Sequence, residues 1–287
     1  MQAGWNGSPV WLPCLTLPDI SAELHKMTAI AIAYTSEGFA IAADGRMNMT
    51  ATRAIRPHDH IPDVNDCQKI FECKLSHGAL GCTLLGETEE PTQSFDIASE
   101  VRSARNALNN DLLCSLRGFA IALARELEKR LEVAHGNGVI KTYPHFQLCM
   151  CGYVENPEES NIIHNQPNGD IVLVTFNSAR ERGCPLFDIA RPSISPGYND
   201  LFGPARIKTA IARRLEGFER GFAPLAETAS LSEAASFVRT RIETCITPAA
   251  RKLEYGDFIG GHIHVATITS GAGFQWKVPP LRRIQTL

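Results

Sequence analysis

The feature that most restricts the fold of this chain is an apolar hairpin that starts well inside it. In the stretch MTAIAIAYTSEGFAIAADGRM, residues 27–47, the side chains of Ile30, Ile32 and Tyr34 alternate with alanines, which is the period of a β-strand. TSEG supplies a turn with Gly38 available for a positive φ, and FAIAAD is the returning strand. The alanines on the second face of the hairpin indicate that another layer of the protein packs closely against it.

The segment before the hairpin has a different character. Residues 1–26 contain three prolines and two glycines and show no sustained period, so they are interpreted as a loose leader. They carry no basic residue before His25, which is not typical of a secretory signal. We therefore expect residues 1–27 to be a leader or propeptide, or the product of a misassigned start, and residues 28–287 to form a single domain.

Composition narrows the class of protein. The formal net charge is −3, from 28 basic and 31 acidic side chains, so neither nucleic acid nor an anionic membrane is indicated as the main partner. No run of 18 apolar residues is present, which argues against a membrane span. Nine cysteines, an odd number without Cys-x-x-Cys spacing, indicate reduced thiols in a cytoplasmic protein.

The order of predicted elements indicates an α+β fold. Residues 92–110 and 116–131 show helical periodicity, a further helix has Pro204 near its start, and the last helix opens with a capping box, Ser230 and Glu233. Strands precede, separate and follow these pairs of helices. Segregated blocks of this kind favour stacked sheets with helices outside, and hence a four-layer αββα sandwich of two antiparallel sheets.

Two segments are interpreted as irregular. Residues 47–66 are polar and follow the hairpin directly, so we expect them at the rim of a cleft or at a subunit contact. RPSISPGYNDLFGP, residues 191–204, is interpreted as a connection rich in proline and glycine.

The hairpin carries chemistry if Thr28 is the first residue of the mature chain. Thr28 then owns a hydroxyl and an α-amine whose reference pKa is about 7.7–8.0, and the amine can take the hydroxyl proton. A nearby lysine would stabilise the alkoxide, an aspartate would orient that lysine, and a backbone N–H at a glycine would bind the oxyanion. Asp44 ends the second strand, Lys69 opens the next one, and Gly86 ends the strand after that.

These residues resemble the opening motif of proteasome β-type subunits and their simpler bacterial relatives, in the N-terminal nucleophile hydrolase superfamily. The resemblance covers roughly residues 28–277 and is more specific at its start than at its C-terminal end. The matching residues are Thr28, Gly38, Ala42-Ala43-Asp44, Arg46, Lys69-Ile70 and Gly86.

The resemblance implies a threonine-type endopeptidase that cleaves peptides or unfolded proteins without a cofactor or metal. It also implies a homo-oligomeric ring, and it leaves room for an ATP-dependent regulator. The implied site consists of the catalytic residues Thr28, Asp44, Lys69 and Gly86, the supporting residues Arg46 and Asp257, and the substrate-pocket residues Leu84 and Thr88.

Several positions depart from the family pattern. Asp257 lies one place late, Ile259 stands where the family has a serine, and Met27 replaces the glycine usual at self-cleaving junctions. Ser193 and Ser195 are the candidates for a second family serine. Two alternatives therefore stay open, namely a non-catalytic ring subunit of the same fold and a small-molecule amidase of the same superfamily.

A metal site is a further alternative. His58 and His60 form one His-x-His pair and His262 and His264 another, a spacing that places both rings on one face of a strand. If the two pairs met, they could bind a metal ion.

Overall fold

The computed structural model describes residues 28–46, 68–75, 78–86, 96–108, 115–141, 143–154, 169–176, 186–203, 205–253 and 259–281. The strands of this part are β1 (Ile30–Tyr34), β2 (Phe39–Asp44), β3 (Ile70–Leu75), β4 (Gly78–Gly86), β5 (Phe146–Val154), β6 (Asp170–Phe176), β7 (Phe187–Ala190), β8 (Asn199–Phe202), β9 (Ile263–Thr269) and β10 (Gly273–Val278). The α-helices are α1 (Ile97–Asn106), α2 (Leu116–Gly136), α3 (Ala205–Ala212), α4 (Leu231–Cys245) and α5 (Pro248–Arg251). None of these helices combines the length and the apolar composition that a membrane span needs.

The strands form two five-stranded antiparallel sheets. Sheet one has the order β10-β9-β2-β1-β8 and sheet two the order β3-β4-β5-β6-β7. Three apolar clusters fill the space between the layers. One lies between the two sheets, one between sheet one and helices α3–α5, and one between sheet two and helices α1 and α2. The predicted four-layer αββα sandwich is therefore confirmed.

The alternation in the opening hairpin explains its place in the middle of the sandwich. Phe39 and Ile41 of β2 point into the core between the sheets, whereas Ala40 and Ala42 point towards the helices. All four side chains are fully buried. Because alanine is small, it lets helix α4 approach the sheet closely, and the helix contributes Val238 and other apolar side chains to the same cluster.

The interpretation of residues 191–204 as an irregular connection is wrong in its second half. Residues 199–202 form β8, which pairs with β1 and extends sheet one at its edge. Asn199 and Asp200 give this four-residue strand no apolar alternation, so no local period announces it. The strand forms because β1 offers an unpaired edge whose N–H and C=O groups need partners.

The capping box of α4 yields a stability prediction. The Ser230 hydroxyl accepts a hydrogen bond from the Glu233 amide at 3.3 Å, and the Glu233 carboxylate accepts one from the Ser230 amide at 2.7 Å. Ser230→Ala should therefore lower the free energy of unfolding by about 1 kcal/mol, because an amide in the first turn loses its acceptor. Chemical denaturation at fixed protein concentration measures this loss.

Ser236→Ala is the matched control within the same helix. The Ser236 hydroxyl bonds the Ser232 carbonyl one turn back, and alanine has the higher helix propensity, so this change should be neutral or slightly stabilising. Equal losses from the two substitutions would show that the cap contributes nothing special.

Candidate functional site

A buried ion pair joins the two sheets at one end of the sandwich. Lys69 Nζ donates to Asp44 Oδ1 at 2.9 Å, and the two side chains are 8% and 0% exposed. Asp44 is the last residue of β2 in sheet one, and Lys69 immediately precedes β3 in sheet two. The sandwich therefore brings together two residues that lie 25 positions apart in the chain.

The Asp44 carboxylate is held by backbone groups on both oxygens. Oδ1 also accepts from the Ala29 amide at 2.8 Å, while Oδ2 accepts from the amides of Gly260 at 3.1 Å and Arg46 at 3.3 Å. The Asp44 amide in turn donates to the Ala29 carbonyl at 3.1 Å. Four donors fix the plane of the carboxylate and satisfy its charge, so it can hold the Lys69 ammonium in one position.

Stability alone gives a weak reason for this arrangement. Removing two charges from water costs several kcal/mol per ion, and apolar pairs of similar volume often stabilise a fold as well or better. A fully desolvated carboxylate paired with a lysine is also the arrangement by which proteins place a cation beside a reacting group. The ion pair therefore marks this end of the sandwich as the candidate site.

Thr28 lies next to the ion pair. It immediately precedes Ala29, whose amide shares Asp44 Oδ1 with the Lys69 ammonium, so the ammonium is adjacent to the Thr28–Ala29 peptide. Thr28 itself is buried. The structure thus brings Thr28, Asp44 and Lys69 together, and the catalytic role of each stays a prediction.

The remaining predicted site residues are placed as follows. Gly86 ends β4 with a φ of +105°, a conformation that requires glycine, and Leu84 packs into the core between sheet two and its helices. The Arg46 guanidinium lies against Gly260, where an added Cβ would be 3.1 Å from Arg46 Cζ. Asp257 and Thr88 lie outside the described residues.

The two serine candidates are wrong for this site. The Ser195 backbone carbonyl accepts a hydrogen bond from the Tyr198 amide in the turn before β8, and the Gly197 amide donates to the carbonyl of Tyr34, the last residue of β1. Thr28 precedes the first residue of β1. Because β8 is antiparallel to β1, the segment that contains Ser193 and Ser195 lies at the far end of the strand from Thr28.

Gly203, which the sequence analysis did not single out, reaches Thr28 instead. It directly follows β8, has a φ of +117°, and leaves so little room that a Cβ would collide with the Thr28 carbonyl. Its position directly before Pro204, near the start of a predicted helix, is the one sequence signal that could have marked it, although not its contact with Thr28. Ile259 is fully buried in the apolar cluster that contains Ala29.

Buried thiols do not compete as nucleophiles in the described part of the chain. Desolvation raises the pKa of Cys73, Cys82, Cys149, Cys151 and Cys245, so all five are protonated at neutral pH. For Cys245 the nearby Asp44 charge raises the pKa further.

Two of the four histidines of the metal alternative, His262 and His264, belong to the described residues. The rings of His262 and His264 are 5.2 Å apart, and His262 Nε2 contacts the Pro279 carbonyl oxygen at 3.0 Å. His58 and His60 lie outside the described residues, as does the polar segment 47–66. Within the described ranges, no three metal-ligating side chains form a group.

The fit of Gly203 against Thr28 predicts a large effect of a single methyl group. Gly203→Ala should cost more than about 2 kcal/mol of stability, because alanine is strained at this φ and its Cβ collides with backbone that cannot move independently. It should also displace Thr28. Gly271→Ala is the control, since a Cβ there meets nothing within 4 Å. Thermal unfolding of both variants checks the prediction, which fails if the two midpoints shift equally.

Comparison with known proteins shows which solved structures have a similar fold. No protein-family model matches the chain, and no curated protein matches its sequence. Solved structures do match: Anbu (ancestral beta-subunit) from Yersinia bercovieri, with a TM-score of 0.52, 15% identity and coverage of 88% of this chain and 87% of that one. The helical assembly of the Anbu complex from Pseudomonas aeruginosa matches with a TM-score of 0.55 and 13% identity, over 90% of this chain and 88% of that one. An Anbu (Gly-1) mutant from Hyphomicrobium sp. strain MC1 matches with a TM-score of 0.53 and 10% identity, over 87% of this chain and 86% of that one.

These matches correct the resemblance drawn from the sequence. Anbu proteins are proteasome-like but distinct from the proteasome β-type peptidases, so the specific assignment to the latter is wrong. At identities of 10–15% the likeness concerns the fold, and in its fold this chain is similar to the Anbu ancestral beta-subunits.

Proposed function

We propose that this chain is a threonine-type hydrolase that cleaves peptide bonds with Thr28 as its N-terminal nucleophile, after removal of residues 1–27. The observation that supports it is the buried Asp44 carboxylate, which holds the Lys69 ammonium beside the Thr28–Ala29 peptide. A cation fixed at the hydroxyl-bearing start of a buried strand is what an alkoxide nucleophile requires.

The proposed reaction needs no group beyond the chain and water. The Thr28 amine takes the hydroxyl proton, the oxygen attacks the substrate carbonyl, and the Gly86 N–H binds the resulting oxyanion. The proton then passes to the leaving amine as the carbon–nitrogen bond breaks, which leaves an ester on Thr28. Water, deprotonated by the same amine, hydrolyses that ester and restores the hydroxyl. Lys69 stabilises the developing alkoxide throughout.

Removal of the leader is part of this proposal. While Met27 is attached, the Thr28 nitrogen is an amide and cannot accept the hydroxyl proton. The Thr28 hydroxyl could attack the Met27 carbonyl and release the leader, or translation could begin at Met27 and methionine removal would expose Thr28. We favour the second route, because no glycine precedes Thr28.

Self-association is proposed on the fold likeness. One of the similar structures is described as a helical assembly of the Anbu complex. We infer that this chain also forms a homo-oligomer, and that peptides or unfolded proteins are its substrates. An ATP-dependent regulator would act on that assembly.

Intact-mass analysis of the protein from its own cells, combined with a peptide-library assay, tests the proposal. We expect a mature chain that starts at Thr28 and cleaves peptides. A stable, assembled chain that retains residues 1–27 and cleaves nothing would establish the non-catalytic subunit instead. A chain that starts at Thr28 but hydrolyses only small amides would establish the amidase.

A further inference from the structure

A buried side-chain oxygen lies unpaired on the inner face of sheet two. Gln147, the second residue of β5, is 9% exposed, and its Nε2 donates to Thr175 Oγ1 at 2.9 Å. Its Oε1 is buried and has no hydrogen-bond partner among the described residues. An unpaired buried amide oxygen costs about 1–3 kcal/mol, and native proteins retain few of them. Gln147 therefore calls for an explanation beyond packing.

The strand register places Gln147 beside the candidate site. Gly86 pairs with Phe146 and Leu85 pairs with Gln147 across β4 and β5. Opposite residues of an antiparallel pair have Cα atoms about 4.5–5.5 Å apart. Gln147 therefore follows the residue that lies directly across from Gly86, the predicted oxyanion glycine. Lys69 belongs to the same end of the sheet, since the Leu84 amide donates to its carbonyl at 3.3 Å.

The row that contains Gln147 leads from the core to solvent. Leu85, Gln147, Thr175 and Asp188 are successive partners across β4, β5, β6 and β7. Their exposure rises along this row: Leu85 is fully buried, Thr175 is half-buried and Asp188 is exposed. The row therefore runs from the buried core beside Gly86 to solvent at the edge strand β7, which is the side from which a substrate would approach Gln147.

We propose that Gln147 is a specificity-determining residue whose Oε1 accepts a hydrogen bond from a neutral N–H or O–H donor of a substrate peptide. The inference rests on the proposed peptidase function. One N–H of the Gln147 amide donates to Thr175 Oγ1, whereas Oε1 has no partner among the described residues, so Oε1 is the atom that a substrate donor would satisfy. Its neighbour in the row is the apolar Leu85, and a cation at an uncharged oxygen there would lose its hydration without a counter-charge. A neutral donor, from the main chain or from an amide or hydroxyl side chain, fits best.

Peptide cleavage by the wild-type chain and by Gln147→Met tests the proposal, since methionine keeps the length of the side chain and removes the acceptor. Three heptapeptide pools are compared: an ordinary pool, a pool without donor-bearing side chains, and a pool with N-methylated main-chain amides. For the ordinary pool, we expect Gln147→Met to raise KM about three- to tenfold with kcat little changed. The pool for which the variant and the wild type become equal identifies the source of the donor.

Two further variants separate recognition from folding. Gln147→Glu keeps an acceptor and should keep the donor preference. Thr83→Val removes a different buried polar group from the inner face, a hydroxyl that donates to the Cys149 carbonyl at 3.4 Å, and should leave KM unchanged. Gln147→Met removes the unpaired acceptor and also the hydrogen bond to Thr175 Oγ1, so the two effects oppose each other and the melting temperature should change little.

The outcomes are decisive for each claim separately. If the wild-type chain cleaves no peptide, the proposed function fails. The same three pools, labelled with a fluorophore, then test Gln147 through their binding, measured by fluorescence anisotropy. The inference is overturned if the wild type and Gln147→Met have the same KM, or the same binding, for every pool. It is also overturned if Gln147→Met loses both kcat and stability while its preference among the pools stays that of the wild type. If Gln147→Met does not fold, equal use of the ordinary and both donor-depleted pools by the wild type overturns it.

Discussion

Thr28→Ala is expected to reduce peptide cleavage by about 10³-fold or more, because the substitution removes the only atom that attacks the substrate in the proposed reaction. Binding of peptides should persist, since the rest of the cleft is intact. The measurement is kcat/KM on a peptide that the wild-type chain cleaves. Thr28→Ser retains a hydroxyl next to the same amine and should recover part of the activity.

The fold of the Thr28→Ala variant should be close to that of the wild type. Thr28 lies just before β1, and the apolar residues around it, Ala29 and Ile30 among them, are unchanged. We expect a change in stability below about 1 kcal/mol. Undiminished cleavage by Thr28→Ala, with the mass of the pure variant verified, would rule out Thr28 as the nucleophile.

Asp44→Ala is expected to be the most destabilising single substitution at the site. It leaves the buried Lys69 ammonium without its counter-ion and removes the acceptor of the Ala29, Gly260 and Arg46 amides. Breaking a buried ion pair from one side typically costs about 3–5 kcal/mol, a large part of the stability of an ordinary domain. Activity should fall as well, because Lys69 is no longer held beside Thr28. Chemical denaturation at equal protein concentration and the peptide assay measure the two losses.

Asp170→Ala is the matched control for that loss. Asp170 also accepts a backbone amide, that of Ile171 at 2.9 Å, and pairs with Arg191 at 2.8 Å, but the Arg191 side chain is 60% exposed. Solvent screens this pair, so we expect a loss below about 1 kcal/mol and no change in activity. Similar losses for the two substitutions would mean that the burial of Asp44 carries no special weight.

The hairpin part of the site could be predicted from the sequence because it is local. Once Gly38 places the turn, the period of two brings Asp44 back beside Ala29, and the structure has Ile30 opposite Ala43 in that register. The placement of Lys69 followed from the resemblance, and the 2.9 Å contact with Asp44 agrees with it. What these residues do in a reaction stays a prediction.

The parts that the sequence analysis missed depend on segments far away in the chain. β8 has no apolar period and exists through its pairing with β1, so Gly203 could not be placed against Thr28 beforehand. The Gly260 amide reaches Asp44 across 216 positions, and no local pattern encodes a hydrogen bond at that separation. The unpaired oxygen of Gln147 likewise becomes visible only when all its neighbours are in place.

The sequence by itself determined the α+β class, the hairpin with its buried faces, and the capping box of α4, because each rests on side-chain period or on contacts within a few residues. The tertiary structure decided which sheet ends meet, which glycine holds Thr28, and that the fold is similar to the Anbu ancestral beta-subunits. The physical reason is that burial periodicity is written locally along the chain. The stacking of one sheet on the other is fixed by side-chain packing between residues far apart in the chain. The strand order within each sheet is fixed by backbone hydrogen bonds, which almost any residue can make.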